Sequence, residues 1–388
     1  ISNNIALKLS RGQYIIRLDA DDYFHKDALK ILLSGFEFEK IGMVFGDWYE
    51  IDEFGDIIER KKRHNFKKDV TLYDQPAHGA CTMFRKSCLL KINGYDESIT
   101  RQDGYELWLR FIKDFEVNNI NIPIFYYRQH YKSLTKDEKK LLNTRAQILE
   151  SHANKYSDKK NKKFFAIVPI RGSELDSRSQ PFIKLNGKNL IDYTLEELIK
   201  SENLSKIIVT TPSEEIISYI KINYDNTKIE VLKRSKDSSR INTPLNQTVT
   251  ECINSIENVE LYDSFFISTI ETPFKRHELI DSAINTKIIF DVDSVIGLRT
   301  FDKTIFNHNG KGMVPINKQS SLLKLERKKN YVAVPGFVLR DLNDFKKTND
   351  LSGKKIGHVI FDQAAALFLD SKLDLLFAEA ILNEKTII

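Results

Sequence analysis

The stretch Tyr14-Ile15-Ile16-Arg17-Leu18-Asp19-Ala20-Asp21-Asp22 decides how the rest of the chain is read. An apolar run of strand type ends abruptly in a cluster of carboxylates. The run reads as a buried strand and the carboxylates as the loop at its carboxyl end, where ligands bind in open α/β sheets. Asp19 and Asp21 suit one hard divalent cation, because Mg²⁺ and Mn²⁺ take carboxylate oxygens and complete their shell with phosphate. The plainer reading is an acidic turn, with Asp22 capping a helix that starts near Lys26.

Around that stretch the composition is that of an ordinary globular chain, 41% hydrophobic and 29% charged over 388 residues, enough for two or three domains. A net charge of +5, spread without a basic stripe, argues against nucleic acid as a partner. It leaves room for weak peripheral attraction to an anionic membrane. Cys81, Cys88 and Cys252 form no CxxC pair, which fits reduced thiols and a cytoplasmic setting, at most on the inner face of the membrane. No apolar run approaches a membrane span.

Downstream, residues 26–38 carry apolar positions at helical spacing, and a strand is expected at 41–45. Ile51 to Ile58 reads as a hairpin turning at Glu53–Asp56, and His78 to Phe84 as a loop entering a strand. Tyr105, Trp108, Leu109 and Ile112 recur at helical spacing, with Asp103 at the expected start and Glu106 three residues on, in the manner of a capping box. Residues 136–152 are helical in pattern, and the polar, aperiodic residues 154–163 read as a linker. Beyond it strands are expected at 164–170, 206–210, 228–232, 264–268, 293–298 and 331–338, and helices near 190–201, 213–222, 245–255, 275–284 and 361–368. The expected class is α/β, with two consecutive Rossmann-like domains and mostly parallel sheets, over 1–153 and 164–388.

Phe84-Arg85-Lys86 leading to Gly94-Tyr95-Asp96-Glu97, then Gln102-Asp103-Gly104-Tyr105-Glu106-Leu107-Trp108-Leu109-Arg110, then Tyr126-Tyr127-Arg128-Gln129-His130 with Ser133-Leu134-Thr135, follow the carboxylate cluster in order. Together they resemble a family-2 glycosyltransferase of the GT-A fold. The resemblance implies that strands holding the nucleotide base precede Ile1, so the sequence is expected to begin inside that domain. It implies Asp103 as general base, Asp19 and Asp21 with His130 at a Mg²⁺ or Mn²⁺ ion, and Asp22, His78 and Arg128 near the substrates. The partners implied are a nucleotide-sugar donor and a glycan or glycoconjugate acceptor. Gly104 departs from the pattern, because many members place the acid directly before the aromatic residue.

In the second half, Ile167-Val168-Pro169-Ile170-Arg171-Gly172, then Lys184 to Thr194, Lys206 to Thr211, Thr272-Pro273-Phe274-Lys275 and Asp370 to Glu379 fall in the order of a CMP-sialic-acid-type cytidylyltransferase, which they resemble. That resemblance implies CTP as a further partner, Arg171 at the nucleotide and Asp370 at a metal. Several family positions differ. Glu174 stands for a serine, Leu175 and Gln180 for lysines, Pro212 for an aspartate, and Phe368 for one of two metal-binding aspartates. Glu174 and Asp176 would also repel a triphosphate. The reading is a metal-dependent inverting glycosyltransferase for surface-glycan synthesis. Its second domain is either an active CMP-sugar synthetase or a non-catalytic binding module.

Overall fold

The computed structural model describes residues 1–66, 76–99, 101–130, 138–225, 228–301, 303–316 and 330–384. Ser133-Leu134-Thr135 lie outside the described residues. The chain divides into two compact units, Ile1–Ile148 with Asp302–Asn330, and Leu149–Phe301 with Tyr331–Ile388. Each is an α/β unit.

The first unit opens with helix α1 (Ser2–Leu9) and strand β1 (Tyr14–Ile16), the half-buried strand that leads into the carboxylates. A two-residue strand β2 (Tyr23–Phe24), helix α2 (Ala28–Ser34), strand β3 (Ile41–Ile51) and strand β4 (Ile57–Lys61) follow. The β3–β4 turn is the expected hairpin, closed by the Asp52 carboxylate accepting from the Phe54 and Asp56 amides. Then come β5 (Thr82–Arg85), α3 (Lys86–Lys91), α4 (Asp103–Asp114), β6 (Glu116–Arg128) and α5 (Glu138–Tyr156). Helix α5 runs into the residues read as a linker, and Lys159–Asn161 form a short 3₁₀ turn.

The sheet order is β1-β5-β3-β6-β2, with β4 also on β3. It is mixed. β3 and β6 pair parallel, whereas β1–β5, β5–β3, β2–β6 and β3–β4 pair antiparallel. Two antiparallel steps return β1 to the direction of β3 and β6, so β1 and β6 point their carboxyl ends the same way. That geometry positions the site. Leu32, Ile41, Val44, Trp48, Met83, Ile124 and Phe125 form a core cluster. Trp108 and Phe111 of α4 pack edge-on against Phe45 and Phe84, the apolar face that the spacing from Tyr105 foretold.

The second unit holds a seven-stranded sheet in the order β11-β10-β7-β12-β16-β13-β17. Its strands are β7 (Phe164–Pro169), β10 (Leu204–Thr211), β11 (Ile229–Lys233), β12 (Ser264–Ser268), β13 (Ser294–Phe301), β16 (Asn330–Asp341) and β17 (Ile356–Ile360). A short hairpin of this unit, β8 (Lys184–Leu185) with β9 (Lys188–Asn189), is separate from the large sheet, and a second, β14 (Phe306–His308) with β15 (Met313–Pro315), belongs to the first unit. The pairings β11–β10, β10–β7, β7–β12 and β13–β17 are parallel, and β12–β16 is antiparallel. Helices α6 (Leu190–Lys200), α7 (Glu214–Asn223), α8 (Leu245–Asn254), α9 (His277–Phe290), α10 (Leu342–Thr348) and α11 (Lys372–Asn383) complete the alternation. Residues 164–168 are all buried, as are 264–268, which suits central strands covered on both faces.

The helix expected at 361–368 does not form. Asp362 instead accepts from the Ala365 amide and pairs with Arg276, closing a single turn, and the Leu369 amide then bonds the Glu271 carbonyl. The helix lies further on, where Ser371 and Asp374 make a reciprocal capping box for α11. All three cysteines are free and buried. Among the described residues, no helix is long and apolar enough to cross a membrane.

Gly336 is the tightest backbone position. Its φ is +65°, and a Cβ there would lie 2.0 Å from Thr269 Oγ1 and 2.7 Å from Thr269 Cβ. Gly336→Ala is expected to lower the unfolding free energy by about 2–4 kcal/mol through strain and overpacking, read from urea titrations.

Candidate active site

At the end of β1 the carboxylates do not stand as one group. Arg17, two residues before Asp19, grips it with two bonds, Nε to Oδ1 at 2.7 Å and Nη2 to Oδ2 at 3.2 Å. Its remaining terminal nitrogen, Nη1, donates to Asp103 Oδ2 at 2.9 Å. Burial alone would lower the Arg17 pKa, but the bond to Asp19 and the charge of Asp103 outweigh it and raise it. Asp103 also accepts from Asn3 Nδ2 at 3.1 Å, and its Oδ1 from the Gly104 amide at 3.0 Å. It is the first residue of α4 and caps nothing. The cap position falls to Gln102, in the left-handed region at φ +55°, and no side chain caps this helix start. The expected capping box is absent because Glu106 turns instead to Arg110, which also donates to the carbonyls of Ile92 and Gly94. Gly94 opens the Gly-Tyr-Asp-Glu motif, and Asn4 of α1 pins that motif by bonding both backbone groups of Tyr95. Burial, with Asp103 and Asp19 adding to it, pushes the Tyr95 phenol up to about 12.

Asp21 faces another way. Its Oδ2 lies 3.2 Å from His130 Nε2, which arrives from the end of β6. Both side chains are partly open to solvent, at 46% and 36% exposure. Among the described residues, the only three His, Cys, Asp or Glu side chains whose ligand atoms lie within 4.8 Å of one another are Glu197, His277 and Glu278 in the second unit. Asp19, Asp21 and His130 thus do not offer three atoms to one point. Asp21 and His130 form a two-ligand set, in which the carboxylate oxygen fits Mg²⁺ or Mn²⁺ completing its shell with phosphate and water, while the imidazole is the softer donor and suits Mn²⁺ better than Mg²⁺.

Asp22 is buried and does not cap α2, whose N-cap position is Asp27. Its Oδ1 accepts from the Arg128 amide at 2.9 Å, tying the acidic loop to the end of β6, and its Oδ2 is buried without a hydrogen-bond partner. Burial, with Asp21 and Asp19 nearby, raises its pKa to about 6. The Arg128 guanidinium donates to the carbonyls of Asp21, Asp52 and Glu53, so it organises loops. His78 accepts from the Ala80 amide through Nδ1 and packs against Trp48, Phe125 and Tyr127. Burial, aided by Arg63, lowers its pKa to about 4 and keeps it neutral. Arg17 and Asn3 are the residues that sequence reasoning missed. An arginine between the apolar run and the carboxylates was the available signal for the first, and no local signal marked the second.

In the second unit, Arg171 and Gly172 follow β7 at its carboxyl end, with Gly172 at φ +83°. Asp176 lies within this loop, buried, with Oδ2 at 3.4 Å from Arg171 Nη1 and Oδ1 accepting from the backbone and Nε of Arg178. Burial raises its pKa, but the bonds from Arg178 and the charge of Arg171 outweigh this and lower it. Asp176 is thus an internal counter-ion, not a bare charge facing a ligand. Asp370 is exposed beside the start of α11, and its amide bonds Asp374 Oδ2.

Residues 1–93 match the family model for glycosyl transferase family 2, and residues 165–288 that for cytidylyltransferase. The chain is 31% identical over 169 residues to an uncharacterized glycosyltransferase of Methanocaldococcus jannaschii, covering 42% of this chain and 57% of the relative. It is 25% identical over 157 residues to the UDP-Glc:alpha-D-GlcNAc-diphosphoundecaprenol beta-1,3-glucosyltransferase of Escherichia coli, covering 39% and 59%. The chain thus spans less than two thirds of either relative. Among solved structures, 4-diphosphocytidyl-2C-methyl-D-erythritol synthase from Anaerococcus prevotii aligns at TM-score 0.46 and 18% identity over 58% of this chain and 98% of that one. CMP:2-keto-3-deoxy-manno-octonic acid synthetase aligns at 0.43 and 11%, over 58% and 100%.

Asp22 gives a pH dependence with a definite sign. Its folded pKa lies above the unfolded value, so the stability it contributes is complete below about pH 4 and is lost as pH rises through about 6. In EDTA, Asp22→Asn is expected to gain on the order of 2–3 kcal/mol over the parent between pH 4 and pH 7. Urea titrations at the two pH values measure it.

Proposed function

We propose that this chain, which joins a family 2 glycosyltransferase domain to a cytidylyltransferase domain, transfers a sugar from a nucleotide-diphosphate donor to a glycan hydroxyl with inversion. The observation that supports this most directly is the Arg17 guanidinium shared by Asp103 and Asp19, which brings a carboxylate from α4 beside the loop that carries Asp21. In this reading Asp103 is the general base. It removes the acceptor hydroxyl proton as that oxygen attacks the anomeric carbon opposite the departing diphosphate. Asp21 and His130 are the residues that would hold Mg²⁺ or Mn²⁺, and such a cation supplies positive charge against the diphosphate. Asp22 and Arg128 act through the backbone, fixing the acidic loop against the end of β6 and the β3–β4 turn, and His78 packs among Trp48, Phe125 and Tyr127. The E. coli relative's name includes UDP-Glc and a diphosphoundecaprenol-linked GlcNAc, which makes UDP-glucose the first donor and a lipid-diphosphate-linked sugar the first acceptor to try.

UDP release from UDP-glucose and other UDP-sugars with Mn²⁺ tests the reading. Asp103→Asn and Asp21→Asn are each expected to lower it by about 100-fold or more. Parent-like turnover in both variants would remove these assignments.

For the second domain we infer weak or absent nucleotide binding with little or no turnover. Arg171 and Arg178 are committed to Asp176, and Phe368 stands where the resemblance implies a metal-binding aspartate. A triphosphate would have to compete with Asp176 for both cations. Titration calorimetry with CTP and Mg²⁺, followed by a pyrophosphate assay with a sugar-acid panel, is expected to give binding weaker than about 100 μM and no steady release. Micromolar binding with release, both lost in Arg171→Ala, would instead establish a working synthetase.

A further inference from the structure

We propose that Arg17 is a positioning residue which aims the Asp103 carboxylate and keeps Asp19 out of the cation site. This rests on the glycosyl-transfer reading above.

The guanidinium is a planar fork with donors in fixed directions. Two of them close on both oxygens of Asp19, and the third reaches Asp103 Oδ2. Asp19 lies two residues from Arg17 on the same segment, so it fixes the fork, and the fork then fixes Asp103 from 86 residues away. Asn3 places a second donor on the same Asp103 oxygen. With two donors, Oδ2 has its lone pairs occupied. Oδ1 takes only the Gly104 amide and keeps a free lone pair. Oδ1 is therefore the atom that receives the proton. As the acceptor oxygen bonds to the anomeric carbon and the bond to the diphosphate oxygen breaks, the hydroxyl proton passes to Asp103 Oδ1, and the resulting acid later releases it to water.

The same contacts assign Asp19. With both its oxygens held by a cation of the chain, it serves as the anchor of the clamp, and Asp21 with His130 is left as the ligand pair. Arg17 is the one charged donor among the three groups that orient Asp103, beside the Asn3 amide and the Gly104 backbone. An ammonium cannot replace the fork, because one nitrogen cannot make three bonds in those directions.

The test uses the full chain and two readouts, UDP release from UDP-glucose and binding of Mn²⁺ with UDP followed by electron paramagnetic resonance. Arg17→Ala and Arg17→Lys are expected to lower kcat by about 100-fold while KM and the Mn²⁺–UDP Kd stay within about threefold. Added guanidinium ion should restore about tenfold of the loss in Arg17→Ala and none in Asp103→Asn. Asp19→Asn should keep Mn²⁺–UDP binding, and Asp21→Asn should lose it. Parent-like kcat in Arg17→Lys would overturn the clamp, and so would loss of Mn²⁺–UDP binding in Asp19→Asn equal to that in Asp21→Asn. A parent chain that neither binds Mn²⁺–UDP nor releases UDP from any UDP-sugar would instead sink the transfer reading, and this inference with it.

Discussion

A carboxylate taken out of water must be matched by donors or cations, and that requirement shapes both units. Asp47 of β3 is fully buried, and it is met by Arg60, by the Arg63 amide and by Asn121. Asp176 is met by two arginines, and Asp19 and Asp103 share one. Asp22 is the exception, with one oxygen satisfied and the other left bare, and its raised pKa follows from that. Asp47, Asp176, Asp103 and Asp22 each also accept from a backbone amide, so there charge neutralisation and local backbone geometry are one event.

The two units solve the same problem with opposite consequences for a ligand. In the first, Arg17 holds two acids yet leaves Asp21 and His130 facing solvent. In the second, the loop after β7 spends its arginines inside itself. A phosphate reaching the second competes with Asp176 for Arg171 and for the Nε of Arg178.

Apolar runs made much of the fold legible. The strands at 164–169 and 264–268 are continuous, buried and bounded as the sequence suggests, because central parallel strands need apolar residues on both faces. Strand β6 was illegible, although it pairs with β3 over ten registered positions. Its run Val117-Asn118-Asn119-Ile120-Asn121 looks like a loop. The asparagines are strand residues because their amides bond chain from outside the sheet, Asn118 to the Gly35 carbonyl and Asn119 to the Phe66 amide and His64 carbonyl. The site was legible as a set of residue types. Its wiring was not, because the Arg17–Asp103 and Asp21–His130 contacts join segments that carry no sign of each other.

The parallel pairing of β3 with β6 also constrains how the first unit is made. His130 and Asp21 are 109 positions apart, and the strand that brings them together is the last of that sheet in chain order. A ribosome must therefore deliver the whole of β6 before Asp21 and Asp22 meet His130 and the Arg128 amide. Closing so long a loop is entropically costly and slow. Until then β3 offers an open hydrogen-bonding edge, the kind of surface that other chains capture. The nascent first unit is thus the vulnerable stage of this protein's synthesis.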